Sequence, residues 1–373
     1  MRINRMVAAV TGLALASGGA LAAAVGTAAA QPSGVKPMVA TAPPGGPVPR
    51  GFRVASVTFV SANDGWVLGT TRTCAHKPCT SVLRTTNGSR SWVGIPAPKY
   101  RIARFESSAG LRRLRFADSL DGFAYGSQLW VTHNGGSSWY RVGQVPGYIT
   151  DLETSAGIVY AATTVKKSGK QVIYASPVHT DSWQRVAGLP VAFGIANLGD
   201  ITLHGTAGWI ILGNRLYATQ DDYSWTRERF RCPAEYGITS VGAYSASQIT
   251  LLCTGGAAAG STSKILYASS NGGVSFTKVG TPPNGGDGGL LAEPTPRHIF
   301  IATVSGATWI YASYDGGRKW KIAKTLDDGG LGWNDFGFTT RTQGVAVEST
   351  IVGGSSRLWL TRTSGRSWGN QNL

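Results

Sequence analysis

Six basic residues, Lys99, Arg101, Arg104, Arg112, Arg113 and Arg115, fall between positions 99 and 115 with only Glu106 among the acids there. Guanidinium groups grip carboxylates and phosphates through paired N–H donors, so this stretch predicts a surface that receives anions. Lys166, Lys167 and Lys170 form a second basic group, and Arg227, Arg229 and Arg231 a third. Across the chain 35 Lys and Arg stand against 19 acids, a net charge of +16 that favours an acidic partner. Acids that could work as a catalytic pair are sparse: Glu235 beside Tyr236, then Asp327, Asp328 and Asp335. No Ser–His–Asp constellation, phosphate loop or pair of metal ligands stands out, and the five histidines are scattered. Catalysis is therefore the minority reading, and no cofactor is expected.

The cysteines are four. An even number in an exported chain supports disulfides, and local pairing, Cys74 with Cys79 and Cys232 with Cys253, is the natural choice. The segment Cys74-Ala-His76-Lys-Pro-Cys79 offers three metal ligands without a fourth, which favours the disulfide over zinc.

What must position these groups is a repeat. A turn running from a hydroxyl residue through Asn or Asp and glycines to an aromatic recurs at Thr85 to Trp92, Thr132 to Trp139, Ser269 to Phe276, Ser313 to Trp320 and Thr361 to Trp368. Degenerate copies lie at Ser176 to Trp183 and Thr219 to Trp225. The closing aromatics are 42 to 51 residues apart, which makes seven units of near-constant length. Upstream of each turn lie short strands such as Leu129-Trp130-Val131 and Gly122-Phe123-Ala124-Tyr125-Gly126, so each unit holds four strands. Four strands at this period are the signature of a propeller blade. The fold is read as all-β, one seven-bladed propeller over residues 51–373, with 51 glycines suiting its many turns.

The turn resembles the Asp-box, or bacterial neuraminidase repeat, Ser/Thr-x-Asp-x-Gly-x-x-Trp. The longer form, Asp64-Gly65-Trp66-Val67-Leu68-Gly69 followed by Val82-Leu83-Arg84-Thr85-Thr86-Asn87-Gly88, resembles propellers of the photosystem II stability and assembly factor type. The resemblance implies a propeller scaffold and a choice of functions, because Asp-boxes also occur in sialidases, xyloglucanases and sortilin-like receptors. A sialidase-like exo-glycosidase would need an arginine cluster, a Tyr–Glu pair and an acid. Its Phe/Tyr-Arg-Ile-Pro motif finds only Phe52-Arg53-Val54-Ala55 and Tyr100-Arg101-Ile102-Ala103, both without the proline.

Residues 1–30 carry Arg2 and Arg5, an apolar run from Met6 through Val25 and Ala28-Ala29-Ala30, the pattern of a secretory signal peptide. Residues 31–50 are a Pro- and Gly-rich linker. No second apolar segment could span a bilayer, so the mature chain is expected as a monomer outside the cytoplasm. Most of the 12 tryptophans are spent on turns and strands. Trp333 alone reads as lying in a connection between blades, available as a sugar platform.

The functional expectation is a noncatalytic binding or assembly module at the cell envelope. It engages an anionic cell-wall polymer, an acidic glycan or a protein through Arg101, Arg104, Arg112, Arg113, Arg115 and Trp333. Export makes nucleic acid the poorer candidate among anions. A glycosidase is the alternative, and converging carboxylates with a Tyr–Glu pair at the channel mouth would mark it.

Overall fold

The computed structural model describes residues 45–71, 74, 77–103, 109–165, 168–193, 200–326, 330–350 and 356–373. The leader, most of the linker, His76, Arg104, Lys166, Lys167, Asp327 and Asp328 lie outside them. No helix among the described residues is long and apolar enough to cross a membrane.

Seven antiparallel sheets follow one another, each built from four strands adjacent in sequence. Blade three has one more short strand, Ala192–Phe193, paired beyond the four. The innermost strands of blades one to seven are Arg53–Phe59, Leu111–Phe116, Tyr148–Ser155, Asp200–His204, Tyr236–Ala243, Asp287–Thr295 and Gly330–Phe338. Because each sheet runs up and down, the turns after the first and third strands open on one face. The loops after the second strand and the connections between blades open on the other.

The recurrent turn is held by its own side chains. In blade two the Gly136 N–H donates to Thr132 Oγ1 at 2.9 Å and the Ser138 N–H to Asn134 Oδ1 at 2.9 Å. The same two bonds recur from Thr85 and Asn87, Ser269 and Asn271, Ser313 and Asp315, and Thr361 and Thr363. Gly136 takes a φ of +91°, a left-handed conformation that glycine adopts without strain, and an added Cβ would sit 2.7 Å from Ile95 of the preceding blade. The turn is thus stapled locally and pressed against its neighbour.

The core lies between blades. Seven apolar clusters among the described residues each join two adjacent sheets, such as Phe123 and Val131 of blade two with Leu152 and Trp183 of blade three. A sheet with both faces buried against neighbours explains the near-continuous apolar second strands, such as Ala207–Leu212, buried throughout. Blade seven meets blade one through Val345, Val347, Leu358 and Leu360 against Val54, Val57, Val67 and Leu83. The ring therefore closes by packing, without exchange of a strand between the ends. Before blade one, Gly46 pairs with Gly94 through two 2.8 Å backbone hydrogen bonds, adding chain to the blade's outer edge.

Both disulfides form as the local pairing predicts, Cys74 with Cys79 and Cys232 with Cys253.

Candidate functional site

The innermost strands carry a shared device. Just before the middle of six of them the register shifts, at Ala55, Arg112, Thr150, Thr239, Gly288-Gly289 and Asn334, each a β-bulge against the second strand. A bulge kinks the strand and re-aims the next side chain. The residues so placed are Ser56, Arg113, Asp151, Ser240, Leu290 and Asp335, with Asp200 at the corresponding register in blade four.

Five of these side chains accept a backbone N–H from the next blade. Leu114 donates to Ser56 Oγ at 2.9 Å, Ile201 to Asp151 Oδ2 at 2.9 Å and Val241 to Asp200 Oδ2 at 3.1 Å. Leu291 donates to Ser240 Oγ at 3.3 Å and Val57 to Asp335 Oδ2 at 2.9 Å. Short hydroxyl and carboxylate side chains suit this position because they offer an acceptor at close range. Arg113 and Leu290 break the rule, having no acceptor to offer.

Residues two positions along a strand share its face, so the next tier holds Thr58, Arg115, Glu153 and Thr202. Together the tiers line an axial cavity of about 390 Å³ in which Arg113, Arg115, Asp151, Glu153, Asp200 and Asp335 converge. Arg113 Nη1 pairs with Asp335 Oδ1 across the ring at 3.3 Å. Arg115 Nη2 pairs with Glu153 Oε1 at 2.6 Å. Asp151 and Asp200 form no ion pair with the described residues. They are held instead by backbone N–H groups, Asp151 also by Leu152 at 2.9 Å. Burial, reinforced by the nearby Asp151 charge, pushes the Asp200 carboxyl up to about 7. Burial likewise raises Asp151, against the pull of Arg113. Two guanidiniums therefore face four carboxylates, and the acids are in excess.

This revises the expected basic face. Arg113 and Arg115 leave it for the axis, because the bulge at Arg112 and the period of two aim both inward. Arg112 itself hydrogen-bonds Tyr148. Arg101 remains exposed, its carbonyl accepting the Leu111 N–H at 2.9 Å. Trp333 is also corrected: it lies inside the first strand of blade seven, 9% exposed, with its indole N–H on the Thr303 carbonyl at 3.1 Å. The segment read as a connection between blades is a strand whose Gly332 packs on Val304 of blade six, so Trp333 offers no platform. Asp335, read as a connection residue, is a ring residue.

Sequence reasoning missed Asp151, Glu153 and Asp200. A signal was present: Ser56-Val-Thr58, Arg113-Leu-Arg115, Asp151-Leu-Glu153 and Asp200-Ile-Thr202 share one polar–aliphatic–polar pattern at one place in the repeat. The lining includes no histidine or cysteine, so its oxygens suit hard cations or ammonium and guanidinium groups better than soft metals.

Comparison with known proteins yields fold similarity. No family model matches the chain, and no curated protein matches it. Among solved structures it is similar to YCF48 bound to D1 peptide, with 17% identity, a TM-score of 0.56 and coverage of 85% of this chain and 95% of that one. YCF48 from Cyanidioschyzon merolae gives 18%, 0.56, 87% and 99%. An oligogalacturonate lyase from Vibrio parahaemolyticus gives 8%, 0.57, 84% and 92%. A lyase and a peptide-bound protein thus share this fold, and the chain is a seven-bladed β-propeller similar in fold to YCF48.

Proposed function

We propose that the chain is an exported, noncatalytic binding propeller that receives a segment of another protein, with a basic group of that segment entering the axial cavity. The observation that carries this reading is the pair Asp151 and Asp200, two half-buried carboxylates lining the axial cavity without an ion pair of their own, beside two arginines already taken by acids. A lysine or arginine side chain would relieve their mutual repulsion, and burial would strengthen the contact. YCF48, of the same fold, has been solved with a D1 peptide bound, which supports a protein partner. The leader pattern of residues 1–30 and the two disulfides support export to an oxidising compartment at the envelope. The stapled turns keep their reading as Asp-box repeats.

An anionic polymer remains the second reading, carried by the exposed Arg101 and the +16 charge, but it would engage the rim rather than the axis. A sialidase-like exo-glycosidase would need arginines free to hold a substrate carboxylate, and Arg113 and Arg115 are engaged by Asp335 and Glu153.

The test is fluorescence anisotropy with labelled lysine-rich, neutral and glutamate-rich peptides on wild type and on Asp151→Asn/Asp200→Asn. A fluorogenic sialoside assay runs beside it. The lysine-rich peptide should bind, and the double variant should weaken it at least about tenfold, the loss expected for one buried charge contact. Preference for the acidic peptide would overturn the reading, and turnover of the sialoside would transfer the case to the glycosidase.

A further inference from the structure

Away from the axis, three loops of blades two and three bring histidines and aspartates together. Asp121, in the turn after the first strand of blade two, is 2% exposed. Both of its oxygens face imidazoles: His133 Nδ1 hydrogen-bonds Oδ1, and His179 Nδ1 lies 2.6 Å from Oδ2. His133 comes from the stapled turn of blade two and His179 from the degenerate turn of blade three. Asp118 closes the group, its carboxylate oxygen lying with those of Asp121 and the His179 nitrogen within 4.8 Å of one another. Behind His133, its Nε2 is buried without a hydrogen bond, 3.6 Å from Asp181 Oδ2.

We propose that Asp118, Asp121 and His179 form a binding site for a divalent transition metal of the zinc class, which clamps blade two to blade three, while His133 orients the Asp121 carboxylate. The donor set is one imidazole nitrogen and two carboxylate oxygens, with the fourth position left to water, a mixture that suits zinc and nickel better than an all-oxygen site would. Two carboxylates and one neutral imidazole balance a dication, so the bound site carries no excess charge. Zinc ligands sit about 2.0–2.2 Å from the ion, so tetrahedral donor atoms stand about 3.3 Å apart. The imidazole and carboxylate atoms now in hydrogen-bond contact must therefore separate by less than about 1 Å. The His179 side chain is 69% exposed and free to make that adjustment. Asp118 already accepts the Leu120 N–H at 2.7 Å and the Asp121 N–H at 2.8 Å, which fixes the turn that presents both acids.

The experiment is isothermal titration of tag-free, chelator-stripped protein with Zn²⁺, with Ni²⁺ and Mg²⁺ for comparison, repeated on His179→Ala and on His133→Gln/His179→Ala. One Zn²⁺ per chain is expected, with Mg²⁺ far weaker and a rise in Tm on loading. His179→Ala should lower zinc affinity on the order of a hundredfold, the share of one ligand in such a site. Because His179 is exposed, this variant folds and reads the site even if the double variant does not. Absence of stoichiometric zinc binding up to about 100 µM, a range that covers any biologically useful affinity, overturns the proposal. So does a His179→Ala variant that binds zinc as wild type does.

Discussion

Asp335 Oδ2, in the first strand of blade seven, accepts the Val57 N–H of blade one at 2.9 Å, joining the two ends of the propeller across 278 positions of sequence. Its other oxygen holds Arg113 of blade two at 3.3 Å. One carboxylate thus fixes three blades at the axis. Asp335→Ala leaves a buried N–H and a guanidinium without their partner, and should cost about 3–5 kcal/mol in urea unfolding. Asp335→Asn keeps an acceptor for Val57 and should cost less than half of that. Equal losses in the two variants would show that the charge on Arg113, rather than ring closure, dominates.

The scaffold was readable because its information is local. The turn from Thr132 to Trp139 is held by bonds within a few residues, so its composition repeats wherever the turn does. The axis was not readable in the same way, because its side chains are selected by a relation between blades. Ser56, Asp151 and Asp335 each serve the N–H of a residue at least 50 positions away. The bulges also break the strict alternation that would have shown which residues face inward. That is why Arg113 and Arg115 read as surface charges in a connection, and why Trp333, next to a bulge, read as free.

The tryptophans reverse in rank. Sequence reading spends turn tryptophans such as Trp139 and Trp320 on the fold and leaves Trp333 available, so it expects Trp333 to matter less than either. Trp139 and Trp320 are only half-buried, with their indole N–H groups on carbonyls at the rim, whereas Trp333 is buried among Phe300, Ala346 and Trp368. Trp333→Ala should cost about 3–5 kcal/mol, and Trp139→Ala appreciably less. Thermal melts of the two variants decide this, and a larger drop for Trp139 would contradict the packing described.

Stability should fall as pH rises from about 4 to about 8. Burial raises Glu293 to about 8 and Asp200 to about 7, both above the ordinary carboxyl range. Below that range these acids are protonated in folded and unfolded chain alike and have no effect. Above it the unfolded chain ionises them freely while the folded chain holds the proton, so stability is lost progressively up to the folded pKa. Glu293→Gln keeps a partner for the Thr250 hydroxyl, 2.9 Å away, and should flatten the Tm profile over this interval. A profile that rises toward neutral pH in both proteins would sink the assignment.

The last prediction separates a binding arginine from a structural one. On the expectation of a basic face, Arg112→Ala/Arg113→Ala/Arg115→Ala would remove anion binding and leave the fold alone. In the structure Arg115 lies 2.6 Å from Glu153 and 3.4 Å from the Leu152 carbonyl, inside an axis that already has an excess of acids. Removing it leaves Glu153 beside Asp151 and Asp200, so Arg115→Ala alone should destabilise by roughly 2–4 kcal/mol. The loss should shrink in Arg115→Ala/Glu153→Gln, where the abandoned charge is gone as well. Arg101→Ala, on the exposed connection, should leave Tm unchanged and alter only the salt dependence of any anion binding. If Arg115→Ala melts as wild type does, the guanidinium is free to serve a ligand, and the axis must be regarded as an anion site after all.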